Sequence, residues 1–471
     1  MSFSAVDATL VQAAEAVARG EISSVELTRD CLARTERLNP NLNCFVRVDA
    51  DSALAAARRA DQARASGQPL GPLHGVPIAF KDMFYDKGQE TSCGSAVRAG
   101  FRGETTATAL KRTRAAGAIE LGALNMTEFA LGPTGHNLRF GACHNPWNAD
   151  YIAGGSSSGS GASVAARLAF GTIGSDTGGS VRLPAAVNGV LGLKATYGLI
   201  PRTGAMPLSW STDHVGPLAR DAADLARLLA VLAGHDPLDP ASSTRPVPDY
   251  AADLHAGVKG LRIGVPTNFF FEEVDTEVGR TLALALATLE AAGARLIEVA
   301  VPAPEHLTEL SRTLVYSEAT ALHGYFQRSC PEDYSPQVRA RAATGVAIPA
   351  SAYLEAVLLR PMVLRRFVAE VYGACDVLAT PTLPIPVPTL AETDVGASAG
   401  MWQTIARLVR CTAPFNYLGL PALNVPAGFT ALGLPVGLQL IGRPFAEATL
   451  LRTAAAYQAD TDWHQRRPAL S

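Results

Sequence analysis

Apolar positions recur along this chain with two periods, and the alternation between those periods sets the expected fold. Over roughly the first sixty residues the spacing is helical. Ser23 and Glu26 form a capping-box pattern around Val25, followed by Leu27, Cys31 and Leu32, and Leu38-Asn39-Pro40 predicts the end of that helix. A β-rich run, Cys44-Phe45-Val46-Arg47-Val48, leads to a second, Ala- and Arg-rich helix over residues 51–66. From Gly75 to about Gly234, short β-branched runs alternate with Ala-rich helical segments, the pattern of a sheet covered by helices. Residues 237–248 read as an exposed linker, because their prolines and turn formers hold neither a helix nor a central strand. A strand over residues 261–265 and an amphipathic helix over 275–293 follow, then helices with irregular joins over 300–372. Strand-like runs return at Val377-Leu378-Ala379 and over 434–441, before a final helix over 446–459. The pattern contains no internal repeat.

Composition narrows the class rather than the chemistry. With 471 residues, 48% hydrophobic and 18% charged, the chain can bury a sizeable core. A net charge of −3 carries no bias toward nucleic acid or an anionic membrane, so neither partner is expected. Met1 to Asp7 show no basic and then apolar leader, and no stretch approaches the ~20 apolar residues of a spanning helix. The expectation is a cytoplasmic protein. Seven scattered cysteines without CxxC spacing read as buried free thiols. His74, His136, His144 and His214 lack ligand spacing, so no metal and no cofactor is expected.

One passage departs from ordinary patterning. Gly154-Gly155-Ser156-Ser157-Ser158-Gly159-Ser160-Gly161 is followed, after an Ala-rich helical segment, by Gly174-Ser175-Asp176-Thr177-Gly178-Gly179-Ser180-Val181-Arg182-Leu183-Pro184. A flexible linker has no use for the second segment, and no GxxxxGK[ST] phosphate loop is present. Residues 155–159 match GxSxG on Ser157, but a nucleophile elbow follows a strand and residues 148–151 read as a loop. The remaining reading is a catalytic pair of serines. A serine hydroxyl needs a positioned base, and no histidine falls in these loops. Upstream, Gly75-Val76-Pro77-Ile78-Ala79-Phe80-Lys81-Asp82 ends an apolar strand on one of only five lysines in the chain. Arginine stays charged near neutrality, whereas a desolvated lysine can lose its proton.

These residues resemble the amidase signature family. The likeness runs from about residue 5 to 460, through the lysine loop, Leu124-Asn125-Met126-Thr127-Glu128-Phe129, the serine and glycine core, Asp213-His214-Val215-Gly216-Pro217, Asp376-Val377-Leu378-Ala379-Thr380-Pro381-Thr382, and the C-terminal segment over residues 433–442. The spacing agrees, with 75 positions from Lys81 to Ser156 and 24 from Ser156 to Ser180. The resemblance implies an α/β fold with a large central mixed β-sheet covered on both faces by α-helices. It implies a single amidase domain over 1–471, with a helical scaffold over 1–66, a signature core over 67–235 and 375–460, and a variable helical substrate region over 300–372.

It also implies roles. Ser180 is the acylated nucleophile, Lys81 the base, and Ser156 the proton relay, with a cis peptide bond expected at Gly155-Ser156. Backbone N–H groups of Thr177, Gly178, Gly179 and Ser180 are the expected oxyanion donors. Asp176 and Arg182 are read as a charge pair bracing the loop, and Ser157 as a supporting hydrogen bonder. The acyl pocket is expected from Met126, Phe129, residues near Trp210, and helical residues such as Leu354, Val357 and Leu358, with Arg341 a candidate carboxylate binder.

The reaction implied is cleavage of the C–N bond of a small alkyl or aryl amide, with carbamates, as for a urethanase, and a homodimer left open. The alternative is a glutaminase subunit of a tRNA-dependent amidotransferase, a branch that the segment over 124–129 also resembles. Such subunits place a glutamine-binding aspartate shortly before a segment like Asn416-Tyr417-Leu418-Gly419-Leu420-Pro421, and no acid lies between Met401 and Asn416 here. A catalytically dead scaffold fits poorly with three competent residues at the three positions.

Overall fold

In the computed structural model, which describes residues 4–470, an 11-stranded mixed sheet runs through the molecule. Its strands are β1 (Phe45–Val48), β2 (Pro77–Lys81), β3 (Ile119–Leu124), β6 (Gly171–Asp176), β7 (Leu191–Lys194), β8 (His214–Ala219), β9 (Arg262–Pro266), β10 (Arg295–Val299), β11 (Val377–Pro381), β12 (Ala422–Phe429) and β13 (Pro435–Gly442). They lie in the order β1-β3-β2-β6-β8-β7-β12-β13-β11-β9-β10. A hairpin of β4 (His144–Asn145) and β5 (Asn148–Ile152) stands apart from the sheet. Helices pack on both faces, among them α1 (Leu10–Arg19), α2 (Ser24–Leu42), α3 (Ala50–Ala65), α4 (Thr108–Ala115), α5 (Ser158–Ala165), α6 (Arg182–Asn188), α7 (Ala222–Leu232) and α8 (Thr276–Ala291).

The wall beyond the sheet is built by α9 (Pro304–Ser329), α10 (Pro336–Ala342), α11 (Ala350–Ala374), α12 (Leu390–Thr393), α13 (Gly400–Val409) and α14 (Ala413–Tyr417). The last helix, α15 (Glu447–Ala459), returns to β12 and β13.

All five residues of β2 are buried, as a strand flanked by parallel neighbours and covered on both faces requires. It runs parallel to β3 and to β6, with Phe80 opposite Ile173. That register brings Lys81, the last residue of β2, abreast of the end of β6, where residues 177–180 turn toward α6. Sheet topology therefore gathers the lysine and the second serine loop at one edge of the core.

Three local expectations are corrected. Helix α2 does not stop at Pro40 but continues to Leu42. A proline removes only its own N–H, and the chain turns out at Asn43, whose φ of 51° ends the helix with its N–H on Asn39 O. Residues 148–152 are a strand rather than a loop, held in the β4–β5 hairpin. The segment 237–248 is exposed over much of its length but is pinned by buried Asp239 and Ser242, and Asp239 pairs with Arg202 at 3.0 Å. All seven cysteines are free thiols, and six are buried. No single helix among the described residues is long and apolar enough to cross a membrane; the reading of Met1 to Phe3 lies outside the described residues.

Candidate active site

Lys81 is wholly buried, and its Nζ donates to Ser156 Oγ at 2.7 Å and to Ser175 Oγ at 2.8 Å. The backbone N–H of Ser156 donates to Ser180 Oγ at 3.2 Å. Lysine and two serines thus lie in a row, linked from Ser156 to Ser180 through the backbone N–H, 8% exposed at Ser180 and fully buried behind it. Burial lowers the Lys81 amine to about 7, against the opposing pull of the Asp213 and Asp176 carboxylates. An amine of that basicity exchanges a proton near neutrality.

The backbone at Ser156 needs glycine before it. Gly155 has φ of 60°, and a Cβ there would lie 2.4 Å from the Pro184 ring. The expected cis bond at Gly155-Ser156 is corrected: all peptide bonds among the described residues are trans. Two successive glycines at positive φ, Gly154 and Gly155, make the turn that delivers Ser156. The GxSxG match on Ser157 also falls away. Ser157 is buried, donating through Oγ to Ser175 O at 3.1 Å and accepting the Ser175 N–H at 3.2 Å, so its hydroxyl staples the two serine loops together.

The turn over residues 177–180 is held from behind by Asp176. Its carboxylate accepts N–H groups of Gly179 at 2.8 Å and Val181 at 3.1 Å, and pairs with Arg182 through Nε at 3.0 Å and Nη2 at 2.9 Å. Both side chains are fully buried. Burial alone would raise this carboxyl, but the guanidinium and the Asn416 amide hold it far below the usual carboxylate range. Arg182 directs its remaining N–H groups to Thr412 O, Gln439 Oε1 and Asn416 Oδ1 at 3.0, 2.6 and 2.6 Å. Gly179 has φ of 130°, and a Cβ there would strike Thr412 Oγ1 at 2.4 Å. Because the Gly179 N–H already serves Asp176, the turn presents Thr177, Gly178 and Ser180 more freely than Gly179.

Ser180, Thr177 and Gly178 line a largely apolar cleft of about 190 Å³. Its far wall comes from α9 (Arg312, Val315, Tyr316) and α13 (Trp402, Ile405, Val409). Arg341 reaches it from α10, buried, donating to Leu131 O and to Tyr316 OH at 3.3 Å, while its Nε has no partner.

The other expected pocket residues are placed differently. Met126 and Phe129 are buried beneath the loop whose next residues, Ala130 to Pro133, face the cleft; Phe129 packs edge-on against His323 at 4.5 Å. Trp210 lines a second cleft with Ser175, Asp213 and His214. Leu354, Val357 and Leu358 point outward from α11, with Leu358 72% exposed. Sequence reasoning missed Ser175, because only the pairing of β2 with β6 brings its hydroxyl to the Lys81 amine. It also missed the cleft face of α13, whose apolar spacing was present but could not be assigned to a partner.

A family model described as Amidase matches residues 26–451. The chain is 40% identical over 485 residues to a subunit of the glutamyl-tRNA(Gln) amidotransferase of Chloroflexus aggregans, covering 98% of each. Among solved structures it is similar to a chain of the vestigial protein complex reported to reveal the evolutionary origins of an s-triazine catabolic enzyme, with TM-score 0.90, 33% identity and coverage of 96% and 98%. It is likewise similar to the peptide amidase PAM bound to chymostatin, with TM-score 0.86, 31% identity and coverage of 98% and 99%. With the match spanning nearly the whole chain and the sheet, helices and serine loops arranged as described, this protein belongs to the amidase signature family of enzymes acting on C–N bonds.

Proposed function

We propose that this protein hydrolyses a small amide carrying a carboxylate, through an acyl-enzyme on Ser180. The observation that carries the reading is the buried row Lys81–Ser156–Ser180, whose outer end, Ser180, lines the apolar cleft. Neutral Lys81 takes the Ser156 hydroxyl proton as Ser156 takes that of Ser180, and Ser180 Oγ attacks the carbonyl carbon. The oxyanion forms against the N–H groups of Thr177, Gly178 and Ser180. As the C–N bond breaks, Ser156 returns a proton to the departing nitrogen and is reprotonated by Lys81. Water then attacks the acyl group, the same relay accepting its proton, and the acid is released. Arg341, unpaired with any acid among the described residues and set in the cleft wall, supplies the charge that a substrate carboxylate would meet.

A fluorophosphonate probe tests the core of the reading. Mass spectrometry should find the adduct on Ser180; an unmodified Ser180 in native protein, under conditions that label an active relative, rejects it. A panel of carboxylated and uncharged amides, anilides and carbamates then ranks substrates by kcat/KM.

A second reading, the glutaminase subunit of a tRNA-dependent amidotransferase, is supported by the 40% identity over 98% of the chain to the Chloroflexus aggregans protein. Against it, the α13 residues lining the cleft are Trp402, Ile405, Ala406 and Val409, none of them acidic, and the carboxylate in the lining, Glu309 of α9, is largely in solvent rather than enclosed to hold a glutamine ammonium group. Ammonia release from glutamine alone, together with co-purification of partner chains, would favour this reading; turnover of carboxylated amides lacking an amino group favours the first.

A further inference from the structure

We infer that Asp213 is a positioning residue for this centre, its carboxylate holding the oxyanion turn through Thr177 and lying along one cleft with Ser175, which accepts from the Lys81 amine. The inference rests on the reading of Lys81 as base and Ser180 as nucleophile. Asp213 opens the Asp213-His214-Val215-Gly216-Pro217 segment, which has no part in the chemistry described so far.

Its geometry addresses both ends of the row. Asp213 is 9% exposed and immediately precedes β8, whose register places His214 opposite Asp176. Oδ1 accepts the Thr177 hydroxyl at 2.6 Å, at the first residue of the turn. Oδ2 accepts the N–H groups of Leu208 at 2.8 Å and Ser209 at 2.9 Å, which closes the 208–213 loop on itself. Glu318 of α9 anchors that loop from the other side. It is fully buried, accepting Ser209 Oγ at 2.6 Å and Ser211 N–H at 3.0 Å. A chain of hydrogen bonds therefore runs from the cleft wall through the loop and Asp213 to Thr177.

All the hydrogen bonds to Asp213 come from neutral donors, so its charge is not neutralised by a bound cation. Among the groups facing Lys81, Asp213 does most to raise the amine, ahead of Asp176, whose charge is committed to Arg182, and of the Cys93 thiol. Asp213 is itself faced by Arg202, which is bound to Asp239. Burial pushes the Asp213 carboxyl up to about 6, so it is mostly anionic above about pH 7, where Lys81 loses its proton. A base lowered too far is neutral but weak, and general-base efficiency falls with it.

The test follows the rate of Ser180 modification by a fluorophosphonate across about pH 5 to 9, in the wild-type protein, Asp213→Asn, Thr177→Val and Thr177→Ser. Asparagine retains the hydrogen bonds, since its Oδ1 can take the Leu208 and Ser209 N–H groups while Nδ2 donates to Thr177 Oγ1. In the wild type the rate should rise with pH through about 7. Asp213→Asn should move this acid limb down by about one pH unit and lower the plateau. Thr177→Val should lower the plateau about 10-fold with the limb unmoved, and Thr177→Ser should restore it. A limb for Asp213→Asn that superimposes on the wild type overturns the electrostatic role, and an unchanged plateau in Thr177→Val overturns the holding of the turn. If Asp213→Asn does not fold, the Thr177 pair decides alone. Absence of any Ser180 adduct in the wild type sinks the reading of the site rather than the role of Asp213.

Discussion

The centre of the sheet and the wall that faces it are built on opposite terms. At the centre, residues 154–188 are almost all buried, and the Asp176–Arg182 pair is fixed by many partners; Arg182 alone directs its N–H groups to four different residues. Across the cleft, α9, α11 and α13 are amphipathic or irregular, and α11 leaves Leu354, Leu358 and Met362 in solvent. The central region tolerates little change because its buried charges, Asp176 and Arg182, have no solvent to replace a lost partner. The wall needs shape and a few charges, of which Arg341 is the buried one. A protein so divided can keep one reaction while altering what it accepts.

Substitutions ordered by expected effect would break or sharpen that contrast. Ser180→Ala should remove turnover of every substrate, a loss on the order of 10⁶-fold in kcat by analogy with other serine hydrolases, measured against a wild-type control on the best amide. Asp176→Asn leaves Arg182 buried with its counter-charge gone, and urea denaturation should show a loss of about 3–5 kcal/mol. Arg341→Gln should raise KM about 10- to 100-fold for carboxylated amides and leave uncharged amides within about twofold; equal effects on both classes would remove Arg341 from recognition. Leu358→Ser, on the outward face of α11, should change stability by no more than about 0.5 kcal/mol and leave kcat/KM unaltered. A large effect there would show that the outer face of the wall is not as dispensable as its exposure implies.

The legibility of the molecule follows the same division. The lysine at the end of an apolar strand and the two Gly- and Ser-rich loops could be read directly, because desolvated lysine chemistry and positive-φ backbone each demand particular residue types. The Asp176–Arg182 pair was legible from two opposite charges bracketing a glycine turn. Strand β12 went unread: Pro426 and the irregular register between Pro426 and Gly428 interrupt its alternation. Met126 and Phe129 were expected in the pocket because they lie in a family motif, yet a sequence motif marks proximity to the site without saying which side of the loop faces it. Leu354, Val357 and Leu358 misled in the same way, since apolar character alone does not distinguish a cleft wall from an exposed helix face.

What the amino-acid order determined by itself was local: which segments coil or extend, where glycine is indispensable, and which side chains are chemically able to act as base and nucleophile. Only the tertiary structure decided that Ser175 shares the Lys81 amine, that Asp213 reaches Thr177, and that α13 rather than α11 closes the cleft. Those facts depend on strand register and helix packing between segments separated by tens to hundreds of residues. Burial, which lowers the Lys81 amine to about 7, is likewise a property of the assembled core rather than of any stretch of the chain.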